Sequence, residues 1–229
     1  MKSIKVNEAV LDKTMDGVLK VSHKLFEEKL VKSTFGVVSA RIPDTEYVVI
    51  TPSGFRKERV AKENLIIVNL DGNVVHGKLR PSSETPMHVH IHKKIPEANC
   101  VIHTHSPIAT VFAVLEMNIP CISSEQAFVF GGEIPVVKNY SYPGTTKIEE
   151  LDSIVEALKK CKAALLRRHG VIVYGEDFDE ALDNAIVIED LAVTAIFAML
   201  LGRPREFTKS EIEYIQEFKR TRYGQIRSR

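Results

Sequence analysis

The sequence predicts an α/β fold, a sandwich in which helices cover a mixed β-sheet. That expectation rests on two features. Segments with helical spacing of apolar residues alternate along the chain with short apolar runs of strand length. Tight turns such as Asp71-Gly72 join several of these runs, so neighbours pair as hairpins and the sheet is not purely parallel. A chain of 229 residues, 44% of them hydrophobic, encloses a sizeable core without staples. No repeat or Gly/Ser-rich linker divides it, and residues 1–229 read as one domain.

The elements follow from local pattern. Leu11, Met15, Val18, Leu19, Leu25, Phe26 and Leu30 fall at helical spacing over about 8–31. Gly36–Arg41 and Tyr47–Ile50 read as strands around a turn at Pro43-Asp44. Leu65–Leu70 is a continuous apolar strand that turns at Asp71-Gly72 into Val74-Val75. Residues 83–94 have helical character. Cys100–His103 reads as a buried strand, followed by an apolar helix from Pro107 to Leu115. Ile134–Val137 is a further strand. Thr146-Lys147-Ile148-Glu149 has the form of a capping box, opening a helix with Leu151, Ile154, Val155 and Leu158 on one side. Ala163–Leu166 and Val171–Tyr174 form a strand pair around His169-Gly170. A long helix from about Phe178 ends at Gly202, with Pro204 beyond it. Thr208-Lys209-Ser210-Glu211 is a second capping box and opens a final short helix.

Composition excludes several classes. Lys and Arg number 31 against 30 Asp and Glu, too even for a nucleic-acid binder. No apolar run approaches the ~18 residues of a membrane span, and MKSIKVNEAVLDK contains no signal-type apolar core. Cys100, Cys121 and Cys161 lack CxxC spacing and read as reduced, buried thiols of a cytoplasmic protein.

The uneven feature is histidine. There are eight, five of them between His88 and His105. His103 and His105 sit two apart at a strand end, so both imidazoles reach one point from a rigid edge. His169 lies at the matching end of another strand, and Gly170 permits a tight turn behind it. Three neutral imidazoles make a catalytic-type zinc site with an open position, although the His103/His105 pair taken alone also reads as ordinary strand-end histidines. His88, His90 and His92 compete as ligands, but on a helix only His88 and His92 share a side. All three read as structural, His88 being the nearest to the site.

Two segments carry small hydroxyl residues. Thr51-Pro52-Ser53-Gly54 follows a strand, and Pro81-Ser82-Ser83-Glu84 precedes a helix. Hydroxyls and backbone N–H groups at such positions bind an anion without a full positive charge. Taken singly, the first also reads as a plain turn, the second as a plain N-cap, and Glu84 as a residue favoured by the helix dipole.

In order along the chain, STFGVVSAR (33–41), TPSG (51–54), PSSE (81–84), HTHS (103–106) and RRHG (167–170) resemble the class II aldolase/adducin family, over about residues 8–224. The resemblance implies a three-layer α/β/α sandwich with a mixed central sheet. It implies Zn²⁺, or alternatively Mn²⁺ or Co²⁺, on His103, His105 and His169. Glu84 takes the position of the aldolase acid/base; the epimerase branch typically has aspartate there. Ser53, Gly54, Ser82 and Ser83 match positions that hold the substrate phosphate. FKRTRYG (218–224) looks like the tail of the fuculose-phosphate aldolases, which makes Tyr223 a candidate for proton transfer.

Two departures matter. Val37 stands where fuculose-type aldolases have a phosphate-binding asparagine, and a valine side chain cannot donate that hydrogen bond. Glu125 aligns with a tyrosine of the loop beside the aldehyde half of the substrate. The implied activity is a metal-dependent cleavage of a ketose 1-phosphate into dihydroxyacetone phosphate and a small aldehyde. The alternatives are a dehydratase, decarboxylase or 4-epimerase of the same family, or a non-catalytic adducin-like domain. The expected partners are a sugar phosphate and further copies of the chain, a homotetramer by resemblance, with neither nucleic acid nor membrane. The basic run Lys219, Arg220, Arg222, Arg227, Arg229 reads as a solvated tail or as one that closes over a phosphorylated substrate, rather than as a polyanion site.

Overall fold

The computed structural model describes residues 6–224. One eight-stranded sheet runs through it, formed by β1 (Val37–Arg41), β2 (Tyr47–Ile50), β3 (Ile66–Asn69), β4 (Val74–His76), β5 (Cys100–Thr104), β6 (Val136–Val137), β7 (Ala163–Leu166) and β8 (Gly170–Gly175). The order is β4-β3-β2-β1-β5-β8-β7-β6. All neighbours are antiparallel except β6 and β7, so the sheet is mixed as expected.

Strand alternation sends successive side chains to two apolar layers. On one face, Val38, Ala40, Ile102, Val171 and Val173 pack with Val18, Val21 and Leu25 of α1 (Glu8–Glu27), Phe112 of α3 (Pro107–Leu115), and Ile188 and Leu191 of α6 (Phe178–Leu201). On the other, Val101, Leu166 and Ile172 pack with Met87 and Ile91 of α2 (Thr85–Lys94), and with Leu151 and Ile154 of α5 (Ile148–Cys161). Helices on both faces make the α/β/α sandwich. Outside it lie α4 (Ser124–Phe130) and α7 (Lys209–Arg222), packed together through Gln216, whose amide donates to the carbonyls of Ala127 and Phe128.

The helix ends are tied down where they frame the site. The Glu189 carboxylate of α6 accepts hydrogen bonds from the backbone N–H groups of Ile108 and Ala109, capping α3 from outside its own chain segment. This fixes the link between β5 and α3, and His105 sits in that link.

The structure corrects two expectations and qualifies a third. The Thr146 capping box does not form. The helix begins one residue later than the box requires: Lys147 occupies the N-cap without a side-chain bond, and Glu150, now at N3, accepts from the Ser141 N–H and hydroxyl. The Thr208 box does form, but its helix runs for 14 residues. Finally, α6 is long and apolar enough to span a bilayer, which a search for unbroken apolar runs passes over. Its buried residues Ala185, Ile188, Leu191, Ala192 and Ala195 lie in the core beside the sheet, where a core helix belongs. Of the basic tail, Arg227 and Arg229 lie outside the described residues.

Candidate metal centre and active site

The register of the sheet assembles the site at one end. His103 on β5 is paired with Val37 of β1 on one side and Ile172 of β8 on the other. Its side chain is fully buried, and its Nδ1 lies 2.8 Å from the Val171 carbonyl. A carbonyl only accepts, so Nδ1 carries the ring hydrogen and Nε2 is left as a bare lone pair. His105 Nε2 lies 3.0 Å from His103 Nε2. His169, in the turn between β7 and β8, completes the group. One ring nitrogen from each of the three lies within 4.8 Å of the others.

A glycine makes this close approach possible. A Cβ on Gly170 would lie 2.3 Å from the Thr104 carbonyl oxygen and 3.2 Å from the His103 ring. Any side chain there would push β8 away from β5 just where the imidazoles converge. Two aromatic partners then hold the rings. The Tyr140 hydroxyl is 2.9 Å from His169 Nδ1, leaving Nε2 for a ligand. Phe35 stacks on His105, ring centroids 5.0 Å apart.

Glu84 closes the fourth side. It occupies the N-cap position of α2, yet its carboxylate does not cap the helix. Oε2 is 3.3 Å from His103 Nε2 and Oε1 is 3.8 Å from His169 Nδ1. Oε1 is buried and makes no hydrogen bond. Burial raises the Glu84 pKa, against the opposing pull of His169, His105 and Lys57. Burial also pushes His103 and His169 down to about 3 and lowers His105, so all three stay neutral near pH 7. Three neutral imidazoles beside one unpartnered buried carboxylate oxygen fit a divalent cation of the zinc type.

The hydroxyl turns lie beside each other. Pro52 and Pro81 form an isolated β-bridge, and the Ser53 N–H donates to the Arg80 carbonyl at 2.9 Å. Ser53, Gly54 and Ser83 are exposed, and a Cβ on Gly54 would meet nothing within 4 Å. Ser82 also caps α2: its hydroxyl accepts the Glu84 N–H at 3.2 Å and its carbonyl accepts from Thr85. The turn at Gly144 packs directly on the Ser83 carbonyl.

The other histidines of the dense cluster are engaged elsewhere. His92 Nδ1 donates to the Ala98 carbonyl, so its Nε2 accepts the Ser39 hydroxyl hydrogen; Ser39 in turn accepts from His88 Nδ1. This buried chain leaves His88 Nε2 bare and unpartnered. His90 pairs with Asp152 of α5. Tyr223 is not brought to the histidines within the chain: it is exposed, and its ring packs edge-on against Phe128 of α4. Glu125 lies on the first turn of α4, outside the histidine group. Sequence reading missed Tyr140, Phe35 and Lys57. Tyr140 follows no spacing rule, and only the packing of the 140–144 turn against Ser83 brings it near.

A mixed α/β/α sandwich with three convergent imidazoles and a buried glutamate at one sheet end has the architecture of the class II aldolases. The chain belongs to the class II aldolase and adducin family: the model of the class II aldolase and adducin N-terminal domain matches residues 16–196. It is 33% identical over 202 residues to the L-ribulose-5-phosphate 4-epimerase of Salmonella paratyphi B, covering 85% of each chain. It superposes on a solved L-fuculose 1-phosphate aldolase with a TM-score of 0.84 at 28% identity, covering 90% of this chain and 95% of that one. The L-fuculose-1-phosphate aldolase of Thermus thermophilus gives 0.71 at 25% identity, over 85% and 99%.

Proposed function

We propose that the protein is a zinc-dependent aldolase that cleaves a ketose 1-phosphate, of the L-fuculose 1-phosphate kind, to dihydroxyacetone phosphate and a small aldehyde. The observation that carries the reading is the placement of Glu84. A single helix start presents Ser82 and Ser83 at the hydroxyl turn and the Glu84 carboxyl 3.3 Å from His103 Nε2. A substrate whose phosphate rests on Ser53, Gly54, Ser82 and Ser83 thus has its first carbons beside the histidines and the acid.

His103, His105 and His169 would hold the ion, which when bound supplies a Lewis acid for the substrate carbonyl. Glu84 moves the proton at the carbon of the dihydroxyacetone half. Its raised pKa suits a group that must both take and return a proton near neutral pH. Tyr223 serves the aldehyde oxygen of a neighbouring subunit, since within one chain it rests on Phe128. Exposed Phe197, Leu200 and Leu201 on α6, with Val114 and Leu115 on α3, support the homotetramer that this requires.

The relatives named as 4-epimerases favour a second reading, inversion of the hydroxyl carbon of a ketopentose 5-phosphate. Both reactions act on phosphorylated ketoses at the same end of the sheet, so assay decides. Purified protein is mixed in one arm with dihydroxyacetone phosphate and glycolaldehyde or lactaldehyde, and in the other with L-ribulose 5-phosphate. A new carbon–carbon bond supports the aldolase; inversion without fragmentation supports the epimerase. Inactivity in both arms with zinc bound sinks both readings.

A further inference from the structure

One buried charge near the site has no ion-pair partner among the described residues. Lys57, in the short 3-10 turn Lys57–Arg59, is 1% exposed. Its Nζ donates to the Phe55 carbonyl at 3.0 Å and to the Thr34 carbonyl at 3.5 Å. Among the described residues, no carboxylate comes within ion-pair distance of it. A lysine buried against neutral carbonyls is costly unless something compensates its charge. Burial accordingly pushes its pKa down to about 8, while Glu58 and Glu84 pull the other way.

Its position says what the compensation is. Phe55 directly follows the Ser53-Gly54 turn. Thr34 opens the loop that leads through Phe35 and Gly36 to Val37, where a side-chain donor to an anion is missing. The ammonium therefore sits under the joint of the two loops, close enough to the centre for its charge to act on Glu84 and His103. It is too deeply buried to touch a ligand, and acts through its field and through the two carbonyls it holds.

We propose that Lys57 is a specificity-determining residue: a fixed positive charge beneath the Ser53-Gly54 turn that selects a phosphorylated ligand over its neutral counterpart, in place of a direct donor at Val37. This rests on the reading that the hydroxyl turns take a phosphate. An uncompensated charge is destabilising alone and favourable once a dianion is seated above it. A mere clamp between loops would have neither property.

Lys57→Met removes the charge and the hydrogen bonds; Lys57→Gln removes the charge but keeps an N–H donor, one bond shorter in reach, on the side of the Phe55 carbonyl. Ser53→Asp places a carboxylate in the turn itself and marks the locus of binding. Inorganic phosphate is titrated into each at constant ionic strength, with melting temperature and calorimetry as readouts. The expected result is a phosphate affinity at least about tenfold weaker in both Lys57 variants, with the phosphate-free Lys57→Met protein melting at or above wild type. Ser53→Asp loses phosphate binding. Wild-type affinity in Lys57→Gln overturns the role of Lys57 while leaving the phosphate turn intact. Lys57→Met that melts lower and Lys57→Gln that binds like wild type would make the residue a clamp. If wild type binds no phosphate, or Ser53→Asp binds it unchanged, the turn is not the anion site and the proposal falls with it.

Discussion

The Tyr140 hydroxyl lies 2.9 Å from His169 Nδ1, with the two rings nearly parallel at 4°. Tyr140 is 2% exposed, and burial raises its pKa, so it remains a phenol throughout the physiological range. It orients an imidazole on a turn that strand pairing alone leaves free to rotate. Tyr140→Phe keeps the ring and removes that restraint. Metal affinity should fall by about 10- to 100-fold, with about 1 kcal/mol lost in stability. Competition with a chelator checks this, and unchanged affinity rejects the orienting role.

Glu84 gives the sharpest separation of binding from chemistry. Glu84→Gln is nearly isosteric and leaves His103, His105 and His169 in place. It should retain a stoichiometric metal while turnover drops by about 10²- to 10⁴-fold, the range for loss of a general acid/base. Metal analysis beside steady-state kinetics reads both at once. Full activity with metal bound excludes Glu84 as the proton carrier.

Gly170→Ala tests the close approach of β8 to β5. The new Cβ falls 2.3 Å from the Thr104 carbonyl oxygen, a backbone atom that cannot swing aside. Overpacking of this kind costs about 1–3 kcal/mol or more. It should also spread the imidazoles, so metal binding falls more than stability does. A variant with wild-type affinity and melting temperature contradicts the packing.

Acid should destabilise the metal-free protein earlier than its carboxylates alone predict. His92 is held at about 3 and His88 also lies well below 6.5, both because burial disfavours the charged ring. Between pH 6.5 and about 3 the unfolded chain binds a proton at His92 and the folded chain does not, and the lowered His88 acts in the same direction below pH 6.5. Stability is therefore present above about pH 6.5 and is lost as pH falls, by up to about 1.4 kcal/mol per unit for each fully neutral ring. Glu84, raised rather than lowered, has the opposite sign and offsets part of this. Urea midpoints measured from about pH 7.5 to about 4 should fall steadily from about pH 6.5. A profile that stays flat to about pH 4.5 refutes the buried, neutral pair.

The exposed apolar end of α6 predicts assembly. Leu201→Asp together with Phe197→Asp should shift the protein to a smaller species in sedimentation experiments. If Tyr223 works across subunits, the same change lowers turnover without removing metal. A monomeric wild type removes the argument.

The alternation of elements, the strand-end placement of His103, His105 and His169, and the ordered motifs that mark the family were all legible in the chain. These are local properties: period, turn chemistry and the two-residue spacing where a strand ends need no knowledge of distant contacts. Composition could not separate the dense run His88–His92 from ligands; helix geometry and the Ser39 hydroxyl on β1 settle where His88 and His92 bond. The capping box at Thr146 failed because the helix starts one residue later, with Lys147 at the N-cap, which puts Thr146 and Glu149 out of capping register; the glutamate at N3, Glu150, bonds Ser141. Tyr140, Phe35 and Lys57 became visible only in three dimensions. Each acts through a neighbour remote in sequence, and the energy of a buried hydroxyl or ammonium depends on what surrounds it rather than on what precedes it in the chain.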